Sequence, residues 1–173
     1  INGTHHPAGT KLKVFFLCSV AGGTGSGTIV DLVYMTRHVL ETNFAGLYNN
    51  TCIFGYIFGP SACEGGINEE RNPGANHYAA MKEIAYLMRL HDRGEKIKMN
   101  YGITNVTFNR NIFDTCIIVD GDTPAFGGFE NPAKTARNVV VQSILGSMTA
   151  RDVVGGEQVS LIDSVYSNSW ADV

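Results

Sequence analysis

Residues 21–27 of the chain, A-G-G-T-G-S-G, carry its clearest chemical signal. They follow an apolar run over residues 11–20 and precede an amphipathic stretch that begins near Thr28. Closely spaced glycines let successive backbone N–H groups turn inward around an anion, and a following helix adds the positive end of its dipole. Thr24 and Ser26 can contribute hydroxyl donors. Glycine suits such a cradle because a side chain would hold the backbone away from the anion. The candidate phosphate-binding set is therefore Ala21, Gly22, Gly23, Thr24, Gly25, Ser26 and Gly27.

Two commoner phosphate motifs do not fit. The dinucleotide fingerprint G-x-G-x-x-G, started at Gly23 and Gly25, requires glycine at position 28, where Thr28 stands. A Walker A loop counted from Gly22 to Gly27 requires lysine at that same position. Other reactive residues do not assemble into a motif. His5 and His6 belong to an N-terminal segment, and His38, His77 and His91 fall at no metal-ligand spacing, so no metal site is expected. Ser19 and Ser26 do not sit in a G-x-S-x-G elbow. The four cysteines, Cys18, Cys52, Cys63 and Cys116, form no C-x-x-C pair. They read as buried free thiols in a reducing cytoplasm.

The elements that must hold this loop alternate. Residues 11–20 and 51–59 read as continuous buried strands, and 113–121 as a third. A helix is expected over residues 28–42, with Ile29, Leu32, Val33, Met35, Thr36, Val39 and Leu40 on its apolar face. A second helix, residues 75–91, turns Ala79, Ala80, Ile84, Leu87 and Met88 inward; Asn72–Pro73 offers its cap and first-turn proline. A third follows Asn131–Pro132, with Ala136, Val140, Ile144 and Met148 as its stripe. Residues 101–110 alternate weakly, as an antiparallel edge strand would. The expected fold is α/β: a three-layer arrangement around a mostly parallel, Rossmann-like sheet. Ligands of such sheets gather at the carboxyl ends of the strands, where loops 21–27, 60–72 and 120–130 share one rim.

Composition sets the remaining bounds. A chain of 173 residues with 44% hydrophobic and 17% charged residues suits one globular domain. A net charge of −3 without a basic patch argues against nucleic acid or an anionic membrane as partner. No apolar run reaches the roughly 18 residues of a membrane span. The start, I-N-G-T-H-H-P-A-G, lacks an initiator Met and a signal-peptide pattern, as expected of a processed product or a piece of a longer chain. The division expected is a flexible segment 1–10, a core 11–150 and a poorly patterned segment 151–173.

In its strand–loop–helix context, A-G-G-T-G-S-G resembles the tubulin and FtsZ superfamily, whose GTP-phosphate loop reads G-G-G-T-G-S/T-G. Six of seven positions match, with Ala21 in place of the first glycine. The helix start T-I-V-D-L-V-Y makes the chain most similar to divergent bacterial tubulin-like proteins. The resemblance implies GTP or GDP as ligand, with Mg²⁺. It implies a ribose-side loop over residues 65–83, from which Glu69, Glu70 or Asn76 would reach a sugar hydroxyl. It places Asn138 where the family's base-reading asparagine stands, with Lys134 one turn earlier instead of the usual aromatic, and with Phe126 or Phe129 as stacking substitutes. Asp120 and Asp122 would meet base, ribose or magnesium-bound water.

The family's first phosphate turn has no counterpart, so the resemblance covers roughly residues 11–150, the middle of such a domain. Family members complete GTP hydrolysis across a head-to-tail interface. The implied partner is therefore another copy or the rest of a longer chain, and Asp163 is the single candidate acid for that step. The competing reading is a non-catalytic scaffold that keeps the fold and the loop without turnover.

Overall fold

The computed structural model describes residues 12–63, 72–102, 105–119 and 132–149. Its elements run β1 (Leu12–Ser19), α1 (Gly23–Asn43), α2 (Ala45–Tyr48), β2 (Thr51–Phe58), α3 (Pro73–Leu87), β3 (Ile97–Asn100), β4 (Asn105–Phe108), β5 (Thr115–Val119) and α4 (Pro132–Thr149). A 3₁₀ turn, Pro60–Ala62, follows β2. The chain divides into two compact units, Ile1–Asp120 and Gly121–Val173.

In the first unit β1, β2 and β5 form a parallel sheet in the order β1-β2-β5. Leu12 pairs with Thr51 and Ser19 with Phe58, while Phe54 pairs with Thr115. Parallel neighbours require crossovers, and α1 and α3 supply them. Ile29 and Val33 of α1 share one apolar cluster with Ile53 and Ile57 of β2 and with Ile84 and Leu87 of α3. Both helices therefore cover the same face of the sheet. The chain is thus a mixed α/β protein with the Rossmann-type parallel sheet the sequence pattern implies.

Two details of the core differ from the sequence expectation. The buried stripe of α1 is Ile29, Val30, Val33, Tyr34, Arg37 and Leu40. Leu32, expected inside, is 55% exposed, and Val39 is exposed too. The stripe is rotated because Tyr34 and Arg37 bury their apolar bodies while their polar ends find partners. The segment 101–110 does not extend the main sheet. Its strand β4 pairs antiparallel with β3, a strand the sequence pattern did not reveal, and Val106 and Phe108 point into the core. The Phe108 ring lies 4.5 Å from that of Tyr34.

Gly55, in the middle of β2, makes room for Phe113; a Cβ there would lie 2.7 Å from the ring. In the second unit α4 buries Ala136 and Val140, as its periodicity predicts. Among the described residues no helix is long and apolar enough to cross a membrane.

Candidate functional site

The glycine run is wound into the helix rather than preceding it. Gly22 is the N-cap of α1 in an extended conformation (φ −102°, ψ 158°), and Gly23, Thr24 and Gly25 form the first turn. The helix therefore begins five residues earlier than its apolar periodicity suggests. Gly22 carbonyl accepts from the Ser26 amide at 3.2 Å, which closes that first turn. The amides of the first turn have no carbonyl four residues back to receive them. No side chain caps them, and no acidic residue lies in the turn. Gly22, Gly23 and Thr24 are exposed. This leaves an uncapped helix terminus, with its positive end open, at the carboxyl end of β1.

The glycines stand in two different environments. A Cβ on Gly25 would lie 1.9 Å from the Ser19 carbonyl oxygen and 3.0 Å from Cys18 Sγ. Gly25 thus lets the helix pack directly on β1, a constraint internal to the protein. At Gly22, Gly23 and Gly27 an added Cβ would meet nothing within 4 Å, and none of the three has positive φ. The described protein gives no steric or conformational reason for glycine there. Glycine inside a helix still costs about 1 kcal/mol relative to alanine.

The hydroxyls differ as well. Ser26 Oγ donates to the Gly22 carbonyl at 2.8 Å and stands 3.3 Å from that of Gly23, so it braces the turn. Thr24 is exposed with no bond to its hydroxyl among the described residues, while its carbonyl accepts from Thr28 Oγ1 at 2.8 Å.

Ala21, where the loop departs from an all-glycine start, is 2% exposed and has no positive φ, so alanine fits without strain. Its backbone is held on both sides. The amide donates to Ser19 Oγ at 3.3 Å, and the carbonyl accepts from Asn76 Nδ2 of α3 at 3.3 Å. Ser19 Oγ is in turn 3.0 Å from Cys63 Sγ, beyond β2. Of the candidates for ribose or base, Asn76 alone is seen beside the loop, with its amide turned onto the loop backbone. Asn138 is exposed on α4, in the second unit, as is Lys134. Asp120, Asp122, Asp163, Glu69, Glu70, Phe126 and Phe129 lie outside the described residues.

Sequence reasoning missed a polar cluster at the opposite rim, where the strands begin. Arg37, 3% exposed, donates from Nε to the Ile112 carbonyl at 3.1 Å. Its Nη2 lies 3.3 Å from Asp114 Oδ1, close enough for an ion pair but not aligned as a hydrogen bond. Asp114 Oδ2 accepts from the Ile53 amide at 2.6 Å, and Tyr34 donates to the Arg110 carbonyl at 3.2 Å. Burial pushes the Tyr34 phenol up to about 12, against a smaller opposing pull from Arg37. The signal was available: Val33, Arg37 and Leu40 fall at helical spacing, which puts the arginine on the apolar stripe. A cleft of about 450 Å³ opens here, lined by His91, Asn109, Arg110, Asn111, Phe113 and Asp114. It lies at the far end of the sheet from the glycines and shares none of their residues.

Among the described residues no three His, Cys, Asp or Glu side chains could jointly hold a metal ion. The four cysteines are free, and burial raises Cys116 to about 11 and Cys18 above its ordinary value. Compared with known proteins, the chain matches one family model, described as tubulin like, over residues 2–171. No curated protein and no solved structure matches it.

Proposed function

The chain belongs to the tubulin-like family, and from that premise we propose that it is a cytoplasmic protein that binds GTP, with the phosphates at the N-terminus of α1. The observation that carries this reading is the uncapped, acid-free first turn, with glycines at 22, 23 and 27 that the described protein itself does not require. The amides of Gly22, Gly23, Thr24 and Gly25 would hold the phosphates, and the Thr24 hydroxyl would add a donor. Ser26 keeps the turn closed. The first turn of α1 offers no carboxylate to a cation. A magnesium ion arriving with the nucleotide would supply charge neutralisation at the phosphates.

In this reading the first turn of α1 binds and orients the phosphates, and none of its own residues is a general base. Hydrolysis then requires a group from elsewhere, either a second copy docked head to tail or the rest of a longer chain. Asp163 is the candidate such a copy would present. Calorimetric titration with GTP and with ATP, each with magnesium, tests the binding. Phosphate release measured against protein concentration tests the turnover. GTP binding with turnover that rises steeply with concentration is expected. GTP binding without turnover would make the protein a non-catalytic scaffold, and absence of binding to either nucleotide would overturn the reading.

A further inference from the structure

We propose that Asn76 is a positioning residue that sets the direction of the Gly22 amide, and so decides whether the loop presents a donor or an acceptor to an anion. The inference rests on the phosphate reading above, but not on any contact between Asn76 and nucleotide. Asn76 Nδ2 donates to the Ala21 carbonyl at 3.3 Å. In a planar trans peptide the carbonyl and the next amide point in opposite directions. Holding the Ala21 carbonyl toward α3 therefore turns the Gly22 N–H away from α3. Ser19 Oγ, which accepts from the Ala21 amide at 3.3 Å, fixes the preceding peptide plane in the same way.

The device is needed because of the residue that follows. Gly22 has φ −102° and open space around it. Flipping the Ala21–Gly22 plane would carry Gly22 to positive φ, which costs glycine little and most residues much. The flipped loop would aim the Ala21 carbonyl, rather than the Gly22 amide, to the side from which Asn76 now holds it back. The same absence of a side chain that opens the cradle thus makes its polarity reversible, and a side chain from a second element holds it in the binding form.

A probe without sugar or base separates this role from contact with the nucleoside. The full chain and Asn76→Ala are titrated with magnesium GTP and with magnesium tripolyphosphate, and the Gly22 amide is followed by ¹⁵N NMR without ligand. The expected result is a loss of about three- to tenfold for both ligands by the same factor, the size of one net hydrogen bond. The Gly22 resonance should broaden or split while the unfolding midpoint stays near that of the parent. Weaker GTP binding with unchanged tripolyphosphate binding would assign Asn76 to the nucleoside and overturn the proposal, as would no change in either. If the parent binds neither ligand, the nucleotide reading falls by itself, and an unaltered Gly22 resonance in the variant would then overturn the positioning role.

Discussion

At the rim where the parallel strands end, the N-cap and first residues of α1 carry four glycines within residues 22–27, and the first amides are uncapped. At the rim where the strands begin, the same helix sends Tyr34 and Arg37 inward, and their polar ends meet the Arg110 and Ile112 carbonyls and the Asp114 carboxylate. One helix is thus open at its start and anchored further along. At the second rim Arg37 Nε and the Tyr34 hydroxyl find carbonyl partners, as stability demands of buried polar groups, and Arg37 Nη2 stands at ion-pair distance from Asp114. Backbone donors at the first rim are left exposed, which stability alone does not favour. On the proposed reading, the difference separates the part of the chain that maintains the fold from the part available to a ligand.

The sharpest way to break that division is to exchange glycines within it. Gly25→Val forces a side chain against the Ser19 carbonyl and should destabilise the fold by about 3 kcal/mol or more, as overpacking does. Gly27→Ala, two residues on and in open space, should instead stabilise by up to about 1 kcal/mol. Urea denaturation of the two variants checks both signs. If both destabilised equally, the glycines would share one packing role.

At the anchored rim, Arg37→Met keeps most of the apolar stem but leaves the Ile112 carbonyl without its donor. The Asp114 side chain is 42% exposed, so the lost ion pair itself contributes little. We expect a loss of about 1–3 kcal/mol, mainly from the unpaired buried carbonyl, in the same denaturation assay. Nucleotide affinity should be unchanged, because the substitution is remote from the loop.

The Tyr34 phenol gives a smaller effect with a defined pH window. Its folded-state value of about 12 lies above the ordinary tyrosine value of 10.0. The stability it contributes is therefore fully present below pH 10 and is lost as pH rises toward 12. Alkaline unfolding followed by circular dichroism should be steeper in the parent than in Tyr34→Phe, which lacks the ionisable group. Equal curves would place the alkaline sensitivity elsewhere.

The parallel strands, their alternation with helices and the glycine loop were legible because continuous β-branched and aromatic runs and clustered glycines are local signals. Three features were not, each for a physical reason. The glycines of residues 23–27 read as loop by propensity, yet packing of Gly25 on β1 draws them into the helix. The apolar face of α1 is rotated from the one its apolar residues predict because an arginine and a tyrosine, polar by type, bury their stems and rings. Strand β3 carries Lys98 and Asn100 on exposed positions and has no apolar run; pairing with β4 and a turn at Gly102 (φ +80°) define it. At the site, the phosphate loop was legible as a motif, whereas the Ser19–Ala21–Asn76 brace joins residues far apart in the chain and leaves no spacing to read.

The central claim is that the α1 terminus is left uncapped for an anion, and Gly22→Asp tests it most directly. Aspartate at an N-cap in extended conformation, with open space around it, can accept from the first-turn amides and complement the helix dipole. The account predicts that the variant unfolds at higher urea, by up to about 1 kcal/mol, and no longer binds GTP. A variant that is more stable and still binds GTP like the parent would contradict it.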